Sequence, residues 1–69
     1  MKKGVCKWFN ENKGFGFISQ ADGPDVFVHY SVIQMEGYKK LIDGEEVEYE
    51  ASDSPKGLQA TTVVRYNHR

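Results

Sequence analysis

The chain has 69 residues, 39% of them hydrophobic and 28% charged with both signs interspersed, which is the composition of a globular rather than a disordered protein. That length leaves room for one domain over 1–69 with one modest core, because a chain of this size buries only about 60% of the surface its unfolded form exposes. The net charge of −1 argues against a uniformly basic polyanion binder, and no apolar run nears the roughly 20 residues that span a bilayer.

The first ten residues, MKKGVCKWFN, lack the apolar segment of a secretory signal, so the expectation is a cytoplasmic protein with no membrane partner. They open a first strand over 3–10, followed by the turn-forming NENKG. A second strand covers 15–20 and ends at ADGPD, where Asp22, Gly23 and Pro24 punctuate the chain. A third covers 25–29. Ser31 is placed to cap a single helical turn through Ile33, and a long connection then runs to the Asp43–Gly44 pair. The fourth strand, EEVEYE, sets Glu46, Glu48 and Glu50 on one face and Val47 and Tyr49 on the other. SDSPKG is expected as a loop, and the fifth strand covers 58–66. Helical periodicity is missing throughout. The fold class is all-β, a five-stranded antiparallel barrel whose closure protects the sheet edges.

Alternation assigns Ile18, Val26, Val28, Ile33, Val47 and Val63 to the interior, with Cys6 and, as a further candidate, Tyr49. Phe15, Phe17, Phe27 and His29 must then point outward together, with Lys13 on the same parity and Lys7 on the neighbouring strand. Trp8 and Phe9 are adjacent, so either one is buried or a bulge turns it round. Gly14 and Gly16 weaken a strand unless a bulge, a close backbone approach or tight curvature needs them. An exposed face that is both aromatic and basic suits unpaired bases, which stack on aromatic rings for roughly 1 to 3 kcal/mol each while lysines hold the phosphates. A duplex, whose bases already stack on one another, is disfavoured.

The charge is unevenly spread. Residues 1–20 hold four lysines against one glutamate, 21–53 hold nine acids against two lysines, and 54–69 hold Lys56, Arg65 and Arg69 without an acid. If the two basic ends meet in the fold, one face is positive despite the overall sign.

Contiguous exposed apolar surface also marks protein interfaces, so a protein-interaction barrel using the same patch is the alternative. An enzyme would need a nucleophile, a base and an orienting group, and His29 has no evident carboxylate partner but Asp25. With one cysteine and two histidines, no disulfide is possible within the chain and no metal or cofactor is expected. Cys6 reads as a small core residue.

KGFGFI (13–18) followed by DVFVHYS (25–31) resembles the paired RNP1-like and RNP2-like motifs of bacterial cold-shock proteins. KWFN (7–10), IQMEGYKKL (33–41) and GLQATTVV (57–64) also resemble that family, so the likeness covers essentially the whole chain. RRM domains carry a similar first motif but place the second before it and need two helices. The resemblance implies an OB-type barrel that binds single-stranded RNA and DNA, with some members acting as RNA chaperones that melt weak secondary structure. It implies stacking roles for Trp8, Phe17, Phe27, His29, Tyr30 and Tyr38, with Phe9 and Phe15 completing the platform. It makes Lys7 and Lys13 backbone contacts, joined by Lys56, and Asp25 an acceptor for a base edge. It places Trp8 outward and Cys6 inward. Tyr30 and Tyr38 stand where the family usually has Phe, Leu58 where it usually has Pro, and Cys6 where Val is common. A monomer is expected, with strand exchange between two copies through 36–44 as the other possibility.

Overall fold

Short runs of β-branched and aromatic residues alternating with small or polar ones produce five strands in the computed structural model, which describes residues 2–21, 23–34 and 40–65. They are β1 (Lys2–Asn10), β2 (Phe15–Ser19), β3 (Val26–His29), β4 (Glu46–Ser54) and β5 (Gly57–Arg65), with one 3-10 turn, Tyr30–Val32, after β3. The strands close into a barrel in the order β1-β2-β3-β5-β4. Four of the neighbouring pairs are antiparallel, while β3 and β5 run parallel with Phe27 opposite Gln59. The expected all-β, five-stranded antiparallel barrel is therefore present with one parallel pair in it. The reason is geometric: directions cannot alternate all the way round a closed ring of five, so at least one pair must run the same way.

Two local expectations also change. SDSPKG was expected as a loop, yet β4 continues to Ser54 and only Pro55 and Lys56 form the turn. Pairing of Ala51, Ser52, Asp53 and Ser54 with β5 overrides the turn-like composition. Ser54 Oγ fastens the end, donating to the Gly57 carbonyl at 2.7 Å and accepting from Lys56 N–H at 3.3 Å. The helical turn begins one residue before Ser31 and is capped by His29, whose Nδ1 accepts the Ser31 N–H at 3.2 Å. The fifth strand agrees with expectation as far as Arg65; residue 66 and Tyr38 lie outside the described residues.

The interior contains Cys6, Ile18, Val26, Val28, Ile33, Val47, Tyr49 and Val63, as alternation assigns them, together with Leu41 and Ala60. Each buried aliphatic contributes on the order of 1.5–3 kcal/mol relative to its exposed form. Tyr49 can be buried because its hydroxyl donates to Gln20 Oε1, and Gln20 is itself held by the Pro24 carbonyl. Glu46 and Glu50 face solvent and Glu48 is half-buried, as the alternation of β4 requires. β1 and β5 do not pair with each other: β4, with its three glutamates, lies between them.

Burial, with the Asp43 and Glu45 carboxylates adding to it, pushes the Cys6 thiol up from an ordinary 9.0 to about 11, and burial also raises the Tyr49 phenol. The folded chain therefore holds protons that the unfolded chain releases above pH 9, and stability must fall as pH rises toward 11. Urea denaturation is expected to show a midpoint falling between pH 9 and 11, and Cys6→Val to remove part of that fall. The Cys6 thiol should resist alkylation at pH 8 until the protein is unfolded.

Candidate nucleic-acid interface

The outward side chains of three neighbouring strands build the candidate surface. In the cross-strand register, Trp8 lies opposite Phe17 and Phe17 opposite Phe27, while Asn10 lies opposite Phe15 and Phe15 opposite His29. Two rows of rings result. Within and between them, Trp8 and Phe17 have centroids 5.5 Å apart, Phe17 and Phe27 5.7 Å, Phe15 and Phe27 5.8 Å, and Trp8 and Phe15 6.0 Å. Such spacings are those of favourable ring pairs. The rings hold one another upright and half-buried, with their outer faces toward solvent.

Trp8 reaches this face through a bulge. The register passes from Cys6 opposite Ile18 to Trp8 opposite Phe17, so Lys7 is the extra residue. In a regular strand an inward Cys6 would send Trp8 inward as well; the bulge resets the parity, leaving Cys6 1% and Trp8 38% exposed. The same reset turns Phe9 toward the core, against which it packs. Phe9 is thus brought beside the platform from beneath rather than into the rows of rings. Opposite it, a Cβ on Gly16 would collide with the Trp8 carbonyl and the Phe9 Cα, so this glycine serves close approach of β1 and β2.

Asp43 was not anticipated at the site. Its Oδ1 accepts the Phe9 N–H at 3.2 Å, just past the bulge, while Cys6 exchanges backbone hydrogen bonds of 2.8 and 2.7 Å with Glu45 and Gly44. The Asp-Gly pair marks a turn in the sequence, but nothing there indicates which strand its carboxylate will reach.

The turn from Asn10 to Gly14 carries Lys13, which is exposed. Asn10 Oδ1 accepts the backbone N–H groups of Asn12 and Lys13, each at 3.0 Å, the side chain standing in for a backbone turn. Gly14 closes the turn with φ 78°, just before β2. The Tyr30 ring lies over it, where a Cβ would come within 2.5 Å. Tyr30 is 48% exposed and leans on His29, with centroids 4.6 Å apart and planes 31° apart. Because His29 Nδ1 accepts from Ser31, the neutral ring carries its hydrogen on Nε2.

Lys7 Nζ lies 2.8 Å from Asp25 Oδ2 at the margin of the rings. Beyond Asp25, a groove of about 630 Å³ separates the Phe17 and Phe27 rings from the β4–β5 hairpin, lined also by Lys56, Leu58 and Gln59. All the anticipated site residues that are described therefore lie on or beside one side of the barrel, with Phe9 set toward the core; Tyr38 is outside the described residues.

The family model for the 'Cold-shock' DNA-binding domain matches residues 2–66. The chain belongs to the cold-shock domain family. It is 54% identical over 63 residues to the cold shock-like protein CspC of Bacillus cereus, covering 91% of this chain and 97% of that protein. It is 54% identical over 63 residues to cold shock protein 2 of Lactiplantibacillus plantarum, covering 91% and 96%. With the cold shock-like protein CspC of Escherichia coli it shares 58% over 63 residues, covering 90% and 91%. This cold-shock domain has a closed barrel with the two aromatic motifs on adjacent strands, and no helix among its described residues is long and apolar enough to cross a membrane.

Loss of the Asp43 clamp tests the account of the bulge. Asp43→Ala should cost about 0.5–1.5 kcal/mol in urea denaturation and shift Trp8 fluorescence in the folded state, whereas an exposed carboxylate elsewhere, as in Asp53→Ala, should do neither.

Proposed function

We propose that this cold-shock domain binds single-stranded RNA and DNA by stacking unpaired bases on Trp8, Phe15, Phe17, Phe27, His29 and Tyr30, with Tyr38 as a further plate and Phe9 as support. The observation that carries this reading is the pair of ring rows across β1, β2 and β3 with basic side chains at their margin. Each base has a π-face, so such a surface tolerates many sequences. Lys7, Lys13 and Lys56 contact phosphates, and Asp25 accepts from a base edge. Lys7 and Asp25 must first release each other, which costs little because an exposed ion pair is worth about 0–1 kcal/mol.

Binding only unpaired strands shifts the equilibrium of a weak hairpin toward its open form by mass action, and that is an RNA chaperone's action. The protein acts as a single domain, as a monomer and in the cytoplasm on this reading. The lysines beside the rings favour a polyanion over an apolar protein partner, whose binding would respond little to salt.

Titration of Trp8 fluorescence with oligothymidine, and with a duplex of equal length, is the deciding experiment. Quenching by the single strand alone is expected, with a log-log salt slope near −2, from roughly −0.7 for each of about three phosphate contacts. No response from the folded protein to either ligand would overturn the reading. Phe17→Ala and Phe27→Ala should each weaken binding by about 1 to 3 kcal/mol while the protein stays folded by circular dichroism. Lys13→Gln should weaken binding and flatten the salt slope.

A further inference from the structure

The groove beside the rings contains one hydrogen-bond donor that the usual family residue cannot supply. The closing pair of the β4–β5 hairpin is Ser54 opposite Gly57, followed by Asp53 opposite Leu58 and Ser52 opposite Gln59. Around a two-residue turn the closing pair exchanges its hydrogen bonds, and antiparallel pairs then alternate between bonded and non-bonded. Leu58 belongs to the non-bonded pair, so its N–H and C=O point away from β4, toward β3. There β5 meets β3 at the single pair Phe27 opposite Gln59, and the same alternation directs the Leu58 carbonyl toward the Phe27 N–H. One step further along, the ladder has ended. The Leu58 N–H is therefore left facing the groove lined by Phe17, Asp25, Phe27 and Lys56. The usual proline at this position agrees with that placement, since proline is tolerated in a sheet only where no N–H is required.

We propose that Leu58 is a base-binding residue whose main-chain N–H donates to an acceptor on the edge of one unpaired nucleobase held in this groove. The proposal rests on the single-strand reading above. The groove suits that occupant: it is continuous with the ring platform through Phe17 and Phe27, its volume lies within the roughly 300–1,000 Å³ of small-ligand clefts, and Lys56 stands at its rim for the adjoining phosphate. The Asp25 carboxylate and the Leu58 N–H give the groove an acceptor and a donor, and each nucleobase edge offers a donor beside an acceptor to meet them. A chain with proline there stacks the same base without reading that acceptor.

A 69-residue chain is within reach of chemical synthesis, so the hydrogen can be removed alone by replacing the Gly57–Leu58 amide with an ester. Affinity would be measured for oligothymidine heptamers, intact and with a single abasic site walked along the strand. The ester protein should bind the intact heptamer roughly 3- to 10-fold more weakly than the all-amide protein, from the loss of one hydrogen bond. That deficit should vanish when one particular base is missing. Leu58→Pro, which also lacks the N–H but keeps the Gly57 amide carbonyl, should reproduce the pattern, and Leu58→Ala, which keeps the N–H, should not. Equal binding by the ester and amide proteins, or a deficit that persists at every abasic position, would overturn the proposal while leaving the stacking reading intact. Failure of the all-amide protein to bind any heptamer would overturn both.

Discussion

The platform depends on the pleat of β2 and β3, because the residues between the rings are the centre of the core. Ile18, Val26 and Val28 are completely buried, and Phe17 and Phe27 must face the other way as long as they are. A slip of one residue would exchange the two sets and lose about 1.5–3 kcal/mol for each aliphatic side chain brought to the surface. Exposing several phenylalanines has its own unfavourable hydration, which the ring pairs offset in part, each contributing about 0.5–1.5 kcal/mol beyond burial. What remains uncovered is a site for further stacking. The ring platform is thus the far side of the hydrophobic core, and the same register specifies both.

β1 cannot contribute on the same terms, since its alternation would place Cys6 and Trp8 on one face. The bulge at Lys7 resolves the conflict, and it requires a partner for the displaced backbone. Asp43 and the 44–45 backbone supply it, so a segment 34 residues away in sequence fixes the orientation of Trp8. The Asp43 carboxylate, together with that of Glu45, also helps to keep the Cys6 thiol protonated. Fold and site are coupled here through a single irregularity.

That difference between the strands explains what could be read from the sequence. β2 and β3 follow period two without interruption, and their core residues and rings were legible from alternation alone. The bulge was legible only as a choice between Trp8 and Phe9, because the residues that decide it, Asp43 to Glu45, belong to another part of the chain. The extension of β4 to Ser54 was hidden because Asp and Ser are turn formers in isolation, and only pairing with β5 makes Ser52, Asp53 and Ser54 strand. The parallel β3–β5 contact follows from counting strands in a closed ring, an argument that local composition does not contain. Tyr30 was legible as an aromatic, but its seat over Gly14 depends on a turn with a positive φ.

Charge obeys the same separation into faces, by a route different from the one that the chain ends suggested. Because β4 lies between β1 and β5, those two strands are divided by glutamates rather than joined. In the ring of strands, however, β4 lies across from β2 and β3. The protein measures 30 × 23 × 17 Å, while charges in physiological salt are screened over about 8 Å. A phosphate near the rings therefore senses Lys7, Lys13 and Lys56 far more than the glutamates on the opposite wall. A net charge of −1 is then compatible with a basic binding face, and the acidic wall disfavours approach of a polyanion from the wrong side. The sign of each face follows from where the charges sit, not from their sum.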